Sequence, residues 1–382
     1  MEKIIKVAFL DDGIDPGFIP VGISYEHYIA DIHGVKASKP EDGISHGTVC
    51  YQIFCDNVTA RYSLVSIKVL DNTTGTGNHK ALVAALKWCA AQDIDIINMS
   101  MGSRQYTDFA AVADAVRQLS RPIIVAACSN ANELTFPACL PTVIGVRHCN
   151  LPTLAGTFIY THDPYDQIEI QAYAADMPVS LRDGYTVPLG GSNSHAAPLI
   201  TARVCNYLAQ GIAPAAIRDK LKSESAPDTG VIGYDFYKNL FKKWERPEIP
   251  VVAICTGPDD KAMHNLRALI AEFVKDGYRT VCLSACLETS SADFIYSLHQ
   301  QKMGQVSTPE LIGLYYNFTL PDILFLHMSM PEIASLPDNL HADLILTGPD
   351  AKELGVCEGE IPILSLEACV EALFSRICEY LS

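Results

Sequence analysis

Three short segments of the sequence place an acid, an imidazole and a hydroxyl where each could take part in catalysis. Asp11 ends the apolar run VAFLD, His46 opens a helix-favouring segment, and Ser194 lies in GGSNSHAAP. A serine hydroxyl becomes a strong nucleophile only when a histidine takes its proton, and a carboxylate orients that histidine and stabilises its charged form. These residue types therefore predict nucleophilic catalysis, provided that the fold brings them together.

The elements predicted around these residues can bring them together. Apolar strands are predicted at 3–10, 63–70, 95–100, 122–128 and 142–146, and helices at 79–92, 107–120, 194–210 and 214–223. Continuous apolar strands separated by helices indicate a parallel sheet that is covered on both faces. Since the three residues lie at the ends of separate strands or helices, they can meet at one edge of this sheet.

A second region of alternating strands and helices follows a polar and aromatic stretch at 226–250. We therefore predict a catalytic domain over 1–228, a linker over 229–247, and a smaller C-terminal α/β domain over 248–382, either Rossmann-like or like a degenerate P-loop domain. A phosphate-binding loop needs Gly-Lys-Ser/Thr, but Lys261 is followed by Ala262. We expect this domain to serve dimerisation, giving a homo-oligomer, or partner recognition.

The composition excludes several other functions. Lys and Arg number 28 against 44 Asp and Glu, and the net charge of −16 argues against nucleic-acid or membrane-surface partners. The 13 cysteines are odd in number and contain no C-x-x-C pair, which argues against a disulfide framework or a zinc ribbon. No apolar stretch reaches membrane-spanning length and no signal peptide follows Met1, so we expect a cytoplasmic protein with reduced, mostly buried thiols.

At these residues the chain resembles the subtilisin-like serine proteases of the S8 family, in which the catalytic residues occur in the order Asp, His, Ser. The family signatures D-x-G, H-G-T and G-T-S-x-A-x-P are similar to residues 11–13, 46–48 and 192–198. The segments at 98–102, 126–132 and 136–146 also follow the family's order. The resemblance covers about residues 5–225 and implies a subtilisin-like, three-layer α/β catalytic domain with a parallel sheet.

The resemblance also implies a role for individual residues. Asp11, His46 and Ser194 would form the catalytic triad, and Asn130 would donate to the oxyanion. The residues implied in substrate binding are Ser100, Met101, Gly102, Ala127 and Cys128. We expect no cofactor and no metal, because the segment at 52–67 offers few oxygen ligands for calcium. We also expect no propeptide, since the first strand begins close to Met1.

These features favour a cytoplasmic serine endopeptidase that cleaves a specific peptide, for example a leader peptide removed during maturation of a ribosomally made product. The alternative is a catalytically weak peptide-binding or scaffold protein, because Ser192-Asn193 stands where the family pattern has Gly-Thr. Asp12 is interpreted as a turn residue. His195, next to the proposed nucleophile, could serve packing, substrate gating or catalysis.

Overall fold

The computed structural model of the protein describes residues 3–71, 74–162, 164–181, 183–228, 237, 249–256, 260–299, 306–336, 340–348, 363–366 and 369–381. The chain divides into two compact units, Met1–Thr229 and Gly230–Ser382. Apart from residue 237, the predicted linker at 229–247 lies outside the described residues.

The first unit is built on a nine-stranded sheet with the order β3-β2-β4-β1-β5-β6-β7-β9-β8. Its strands are β1 (Ile5–Asp11), β2 (Tyr25–Asp31), β3 (Gly34–Ala37), β4 (Tyr62–Lys68), β5 (Ile96–Met99), β6 (Ile123–Ala127), β7 (Ile144–His148), β8 (Phe158–Tyr160) and β9 (Ile170–Ala172). Only the outermost strands, β3 and β8, pair antiparallel with their neighbours. The predicted α/β fold with a parallel sheet is confirmed.

Helices of the first unit cover both faces of the sheet. They are α1 (His46–Asn57), α2 (His79–Ala90), α3 (Tyr106–Arg117), α4 (Asn193–Ala209) and α5 (Ile217–Glu224). Along β1, alternate side chains Ile5, Val7 and Phe9 join a core with α1 and α4, and the Phe9 ring lies edge-on to Tyr51 at 5.8 Å. Since successive strand residues point to opposite faces, the remaining β1 side chains point toward the other face, where α2 and α3 contact each other.

The predicted positions of these elements agree with the structure to within a few residues, whereas several short strands were missed. Besides β2, β3, β8 and β9, these include the hairpin of β10 (Pro178–Ser180) and β11 (Thr186–Pro188). The Gln52 side chain of α1 holds this hairpin, because it donates to the Ser180 carbonyl and accepts from the Ser180 amide. Strands of three or four residues carry too little alternation to be recognised from the sequence, and in the seven-residue β2 the buried positions do not alternate.

One ion pair lies inside the first unit. Arg147 on β7 and Asp166 are 0% and 1% exposed at their side chains, and the guanidinium donates to the carboxylate. Arg147 also lies 3.9 Å from Cys128 Sγ. Breaking a buried pair on one side leaves an uncompensated charge, so the Arg147–Asp166 pair holds β7 beside the segment that precedes β9.

The second unit contains a six-stranded sheet with the order β14-β13-β15-β12-β16-β17, in which every strand pair is parallel. Its elements are β12 (Val251–Cys255), α6 (Asp260–Lys275), β13 (Thr280–Ser284), β14 (Ile295–Ser297), α7 (Thr308–Thr319), β15 (Ile323–His327), α8 (Met330–Ala334), β16 (Leu344–Thr347), β17 (Ile363–Ser365) and α9 (Val370–Leu381). The second α/β layer structure expected from the sequence is therefore present in this unit.

The twelve cysteines within the described ranges are all free, and eight of them are buried. Residue 357, the thirteenth cysteine, lies outside those ranges. None of the helices that the structure describes combines the length and apolar character needed to cross a bilayer.

Candidate active site

Asp11 is the last residue of β1, and its buried carboxylate reaches the first residue of α1. Asp11 is 1% exposed. Its Oδ1 lies 2.8 Å from Nδ1 of His46 and also accepts from the Asp12 amide at 2.9 Å. An Nδ1–H that donates to a carboxylate leaves Nε2 as the basic nitrogen of the neutral ring. The contact therefore fixes both the orientation of His46 and the nitrogen available to accept a proton.

His46 is held in place through its backbone as well as its ring. The carboxylate of Asp12 accepts from the amides of His46 at 3.1 Å and Gly47 at 2.7 Å. Ser45 caps the same helix by accepting from the Thr48 amide. Asp12 is therefore more than the turn residue proposed from the sequence, because it satisfies two of the free amides at the start of α1.

The glycine after His46 is required by the close approach of two backbones. A Cβ atom on Gly47 would lie 2.4 Å from the carbonyl oxygen of Gly13 and 3.0 Å from Asp11 Cβ. This contact brings the start of α1 against the segment that follows β1. A side chain at residue 47 would push His46 away from Asp11.

Charge and burial act in opposite directions on His46. Burial lowers the pKa of the imidazole, while the negative charge of Asp11 and its hydrogen bond raise the pKa and outweigh burial. Cys50 Sγ lies 3.8 Å from His46 Nε2, but burial raises the pKa of this thiol, which is therefore neutral near pH 7. Asp11 is thus the first of the groups that raise the pKa of His46 above its ordinary value of 6.5, and the Cys50 side chain adds to its effect.

Ser194 lies at the start of α4, two residues after the serine that caps this helix. Ser192 accepts from the His195 amide at 3.2 Å, and its hydroxyl oxygen lies 2.8 Å from Oγ of Ser194. Cys50 Sγ, next to His46, lies 3.6 Å from the Ser194 carbonyl oxygen. The structure therefore brings Ser194 to the region of His46, although between these two described residues it shows no side-chain hydrogen bond.

The side chain of Asn130 is hydrogen-bonded to the first residue of α4. Its Oδ1 accepts from the Asn193 amide at 2.8 Å. The Asn193 side chain is also buried, donates to the Ser129 carbonyl at 2.6 Å and accepts from the His148 amide at 2.8 Å. Because Oδ1 of Asn130 is engaged, its Nδ2 is the donor left for a ligand, and Asn193 fixes the loop that carries it.

A cleft of about 410 Å³ contains the remaining candidate residues. Ser194 and Asn130 line it together with the five residues implied in substrate binding, Ser100, Met101, Gly102, Ala127 and Cys128. A Cβ on Gly102 would lie 2.6 Å from the Phe136 carbonyl oxygen, so this edge is packed tightly against the chain behind it. The same cleft is lined by His79 and Asp108, whose side chains lie 2.8 Å apart.

His195 and His148 lie beside the proposed nucleophile. The His195 ring stacks near that of His46, with centroids 6.3 Å apart, and its Nδ1 lies 3.1 Å from the Gly190 carbonyl oxygen. Burial lowers the pKa of His195. A Cβ on Gly191 would lie 2.2 Å from His148 Nε2, so a side chain there would require the His148 ring to move. The ring contact with His46 and the contact with the Gly190 carbonyl favour a packing role for His195. The His195 ring nevertheless lies beside the proposed base.

Within the part of the chain that the structure describes, one set of side chains could hold a metal ion. Donor atoms of Asp11, His46 and Cys50 all lie within 4.8 Å of one another. Carboxylate, imidazole and thiolate are ligands that zinc accepts. The raised pKa of the Cys50 thiol opposes this, because metal binding requires the thiolate.

Comparison with known proteins shows the family. The family model described as the subtilase family matches residues 2–229. Subtilisin amylosacchariticus of Bacillus subtilis subsp. amylosacchariticus is 26% identical over 257 residues, covering 61% of this chain and 62% of that protein. Subtilisin DY of Bacillus licheniformis is 29% identical over 164 residues, covering 38% and 60%. The chain thus spans less than two thirds of the length of these relatives.

A solved lanthipeptide protease is also similar to this chain. It has 18% sequence identity and a TM-score of 0.47, covering 60% of this chain and 82% of that one.

The hydrogen bonds of Asp12 lead to a prediction about stability. Asp12→Ala would leave the amides of His46 and Gly47 without their acceptor, and should lower the free energy of unfolding by about 1–3 kcal/mol. Asp12→Asn keeps one acceptor oxygen and should lose less. Urea denaturation of the three proteins measures the difference. An unchanged stability of the Ala variant would contradict the capping role, and equal losses in both variants would assign the effect to charge.

Proposed function

Because the chain belongs to the subtilase family, we propose that it is a serine endopeptidase whose catalytic residues are Asp11, His46 and Ser194. The observation that carries the proposal is the 2.8 Å contact between Asp11 Oδ1 and His46 Nδ1, since it leaves Nε2 of His46 as the base beside the cleft that Ser194 lines. A buried carboxylate behind an imidazole, with a serine nearby, is the arrangement that activates a hydroxyl.

In the proposed reaction, Ser194 Oγ attacks the carbonyl carbon of the scissile peptide bond as its proton passes to His46 Nε2. Asp11 stabilises the imidazolium that forms, because its charge lies against Nδ1. The imidazolium then gives its proton to the leaving amine, and the peptide C–N bond breaks to leave an acyl-enzyme. Water, deprotonated by His46, releases the second product and restores Ser194.

The negative oxygen of the tetrahedral intermediate is proposed to bind between Asn130 Nδ2 and the backbone amide of Ser194. Asn193 supports this arrangement, because its amide engages Asn130 Oδ1 and its side chain bonds the Ser129 carbonyl. Donors that are already oriented stabilise the transition state without reorganisation. The Ser192-Asn193 segment, although different from the family pattern, therefore holds the oxyanion loop in place.

The proposed substrate is an extended, unfolded segment of peptide. The segment Ser100–Met101–Gly102 follows β5 and lines the cleft, so a peptide could pair with it by main-chain hydrogen bonds. A folded substrate could not offer such a strand. Removal of a flexible leader peptide from a ribosomally made precursor fits this requirement and stays a prediction.

We propose that a catalytic domain at 1–228 carries the peptidase activity and that a separate second domain occupies 248–382, which are the boundaries predicted from the sequence. The second domain would recognise a partner or join two copies of the chain. Its sheet of parallel strands presents loops at one edge, which is where α/β domains bind ligands and partners.

The alternative function is a catalytically weak module that binds peptides or organises a maturation complex. The observation that favours it is the hydrogen bond of Ser194 to Ser192, since a nucleophile held in that way is not bonded to its base. The following variants separate the two functions.

Ser194→Ala should abolish covalent labelling by a fluorophosphonate, because only a serine activated by a base reacts with this probe. Labelling is read as the mass of the adduct on intact protein. Ser223→Ala, the same change on the exposed face of α5, is the matched control and should label like the parent. Labelling of the Ser194→Ala variant would show that another residue is the nucleophile. A parent protein that does not label would favour the binding function.

Asn130→Ala should lower kcat by about 100- to 1,000-fold with little change in KM, the scale found when one oxyanion donor is removed from a subtilisin. Asn130→Asp keeps the oxygen that accepts from the Asn193 amide but lacks the donor, so it should not restore kcat. Steady-state cleavage of a peptide substrate measures both constants. A loss confined to KM, or rescue by Asp, would contradict the oxyanion role.

The kcat/KM of the parent should rise with pH through a midpoint above 6.5, because His46 must be neutral to accept a proton and Asp11 raises its pKa. Asp11→Asn removes that charge, so the midpoint should move to lower pH while the plateau falls by up to about 10,000-fold. A pH profile of both proteins tests this. A midpoint that stays unchanged in the Asn variant would show that Asp11 does not control His46.

A further inference from the structure

Ser192 has two roles at the start of α4. Its backbone is extended and its hydroxyl caps the helix, accepting from the His195 amide at 3.2 Å. The same hydroxyl lies 2.8 Å from Oγ of Ser194, within the range of a good O–H···O hydrogen bond. The chain therefore has a hydroxyl next to its proposed nucleophile, on a residue that no step of the proposed reaction uses.

The hydrogen-bonding capacity of the two serines shows how they can interact. Each hydroxyl has one donor and two acceptor sites. The bond from His195 occupies one acceptor site of Ser192 and leaves the other free. Ser194 can donate its single proton either to that free site or to His46 Nε2, but not to both.

The structure places the Ser194 hydroxyl against Ser192 rather than against His46, with either serine able to be the donor. Ser194 Oγ is bonded to Ser192, while the polar atom recorded near His46 Nε2 is Cys50 Sγ at 3.8 Å. Nδ1 of His46 is already bonded to Asp11. His46 is thus oriented by Asp11, whereas the Ser194 hydroxyl oxygen is bonded to Ser192 and not to His46.

We propose that Ser192 is a positioning residue that holds the Ser194 hydroxyl in a resting state, from which it must turn to donate to His46 before it can attack. The inference rests on the proposed function. This rotation of the Ser194 hydroxyl breaks its hydrogen bond with Ser192 and forms a hydrogen bond to His46. No covalent bond changes. Only the fraction of molecules with the hydroxyl turned to His46 is reactive, so the apparent rate equals the intrinsic rate multiplied by that fraction.

Ser192→Gly tests the proposal with little effect on the helix. Glycine is accepted at an N-cap far better than alanine, so α4 should keep its start while the hydroxyl is lost. The second-order rate of fluorophosphonate labelling should rise by about 2- to 10-fold, which corresponds to the loss of one neutral hydrogen bond. Ser192→Thr keeps a hydroxyl and should label as slowly as the parent.

Ser307→Gly, the same change at the N-cap of α7 in the second unit, is the matched control and should not alter the rate. In a pH profile, Ser192→Gly should raise the plateau and leave the midpoint in place, since the Asp11–His46 contact is untouched. A purely structural effect on α4 would instead lower the thermal midpoint and slow labelling. If Ser192→Gly fails to fold, Ser192→Ala is measured in its place.

The outcomes separate this inference from the function on which it rests. If parent and variant label at equal rates, or the variant labels more slowly, Ser192 does not restrain Ser194 and the proposal is wrong while the protease remains. If the midpoint of the pH profile moves, the hydroxyl acts on His46 and the proposal is also wrong. If neither protein labels, the serine endopeptidase itself is overturned.

Discussion

The contact between the Asp11 carboxylate and the His46 ring is the interaction on which the site depends, and two buried acids make it possible. Asp11 bonds the ring, and Asp12 bonds the amides that begin α1. Burial and the charge of Asp11 raise the pKa of Asp12, while the amide hydrogen bonds lower it. Two adjacent carboxylates in a buried turn repel each other, so the hydrogen bonds that each receives are what make the arrangement stable.

Close backbone contacts then determine where the other groups can lie. Gly47 lets α1 approach the end of β1, Gly102 lets the cleft edge approach Phe136, and Gly191 lets the chain before α4 approach His148. In each case a Cβ would come closer than 3.0 Å to another atom. The site is therefore assembled by elements that pack without side chains between them, and its precision follows from the density of that packing.

Much of this organisation could be predicted from the sequence, because it depends on local patterns. The apolar run ending at Asp11 and the segments around His46 and Ser194 indicated the strands, the helices and the residues at their ends. The bridge from Asn193 to the loop that carries Asn130 joins residues 61 to 64 apart, and no local pattern shows it. The Ser192 contact was missed for another reason. It depends on the rotamer of Ser194, which a sequence leaves open.

Two of the three proposed catalytic side chains, His46 and Ser194, stand at helix N-termini, and this has opposite consequences for them. The partial positive charge at the start of α4 would favour the proposed oxyanion, which develops on the substrate carbonyl beside the Ser194 amide. The same charge at the start of α1 disfavours the imidazolium of His46. The negative charge of Asp11 must therefore offset two effects that disfavour the imidazolium, the partial positive charge at the start of α1 and the burial of the ring. This explains why the Asp11 carboxylate lies against Nδ1 rather than in solvent. The hydrogen bond between Ser192 and Ser194 joins two neutral hydroxyls. Because it involves no charged group, it is weak enough for a bound substrate to displace.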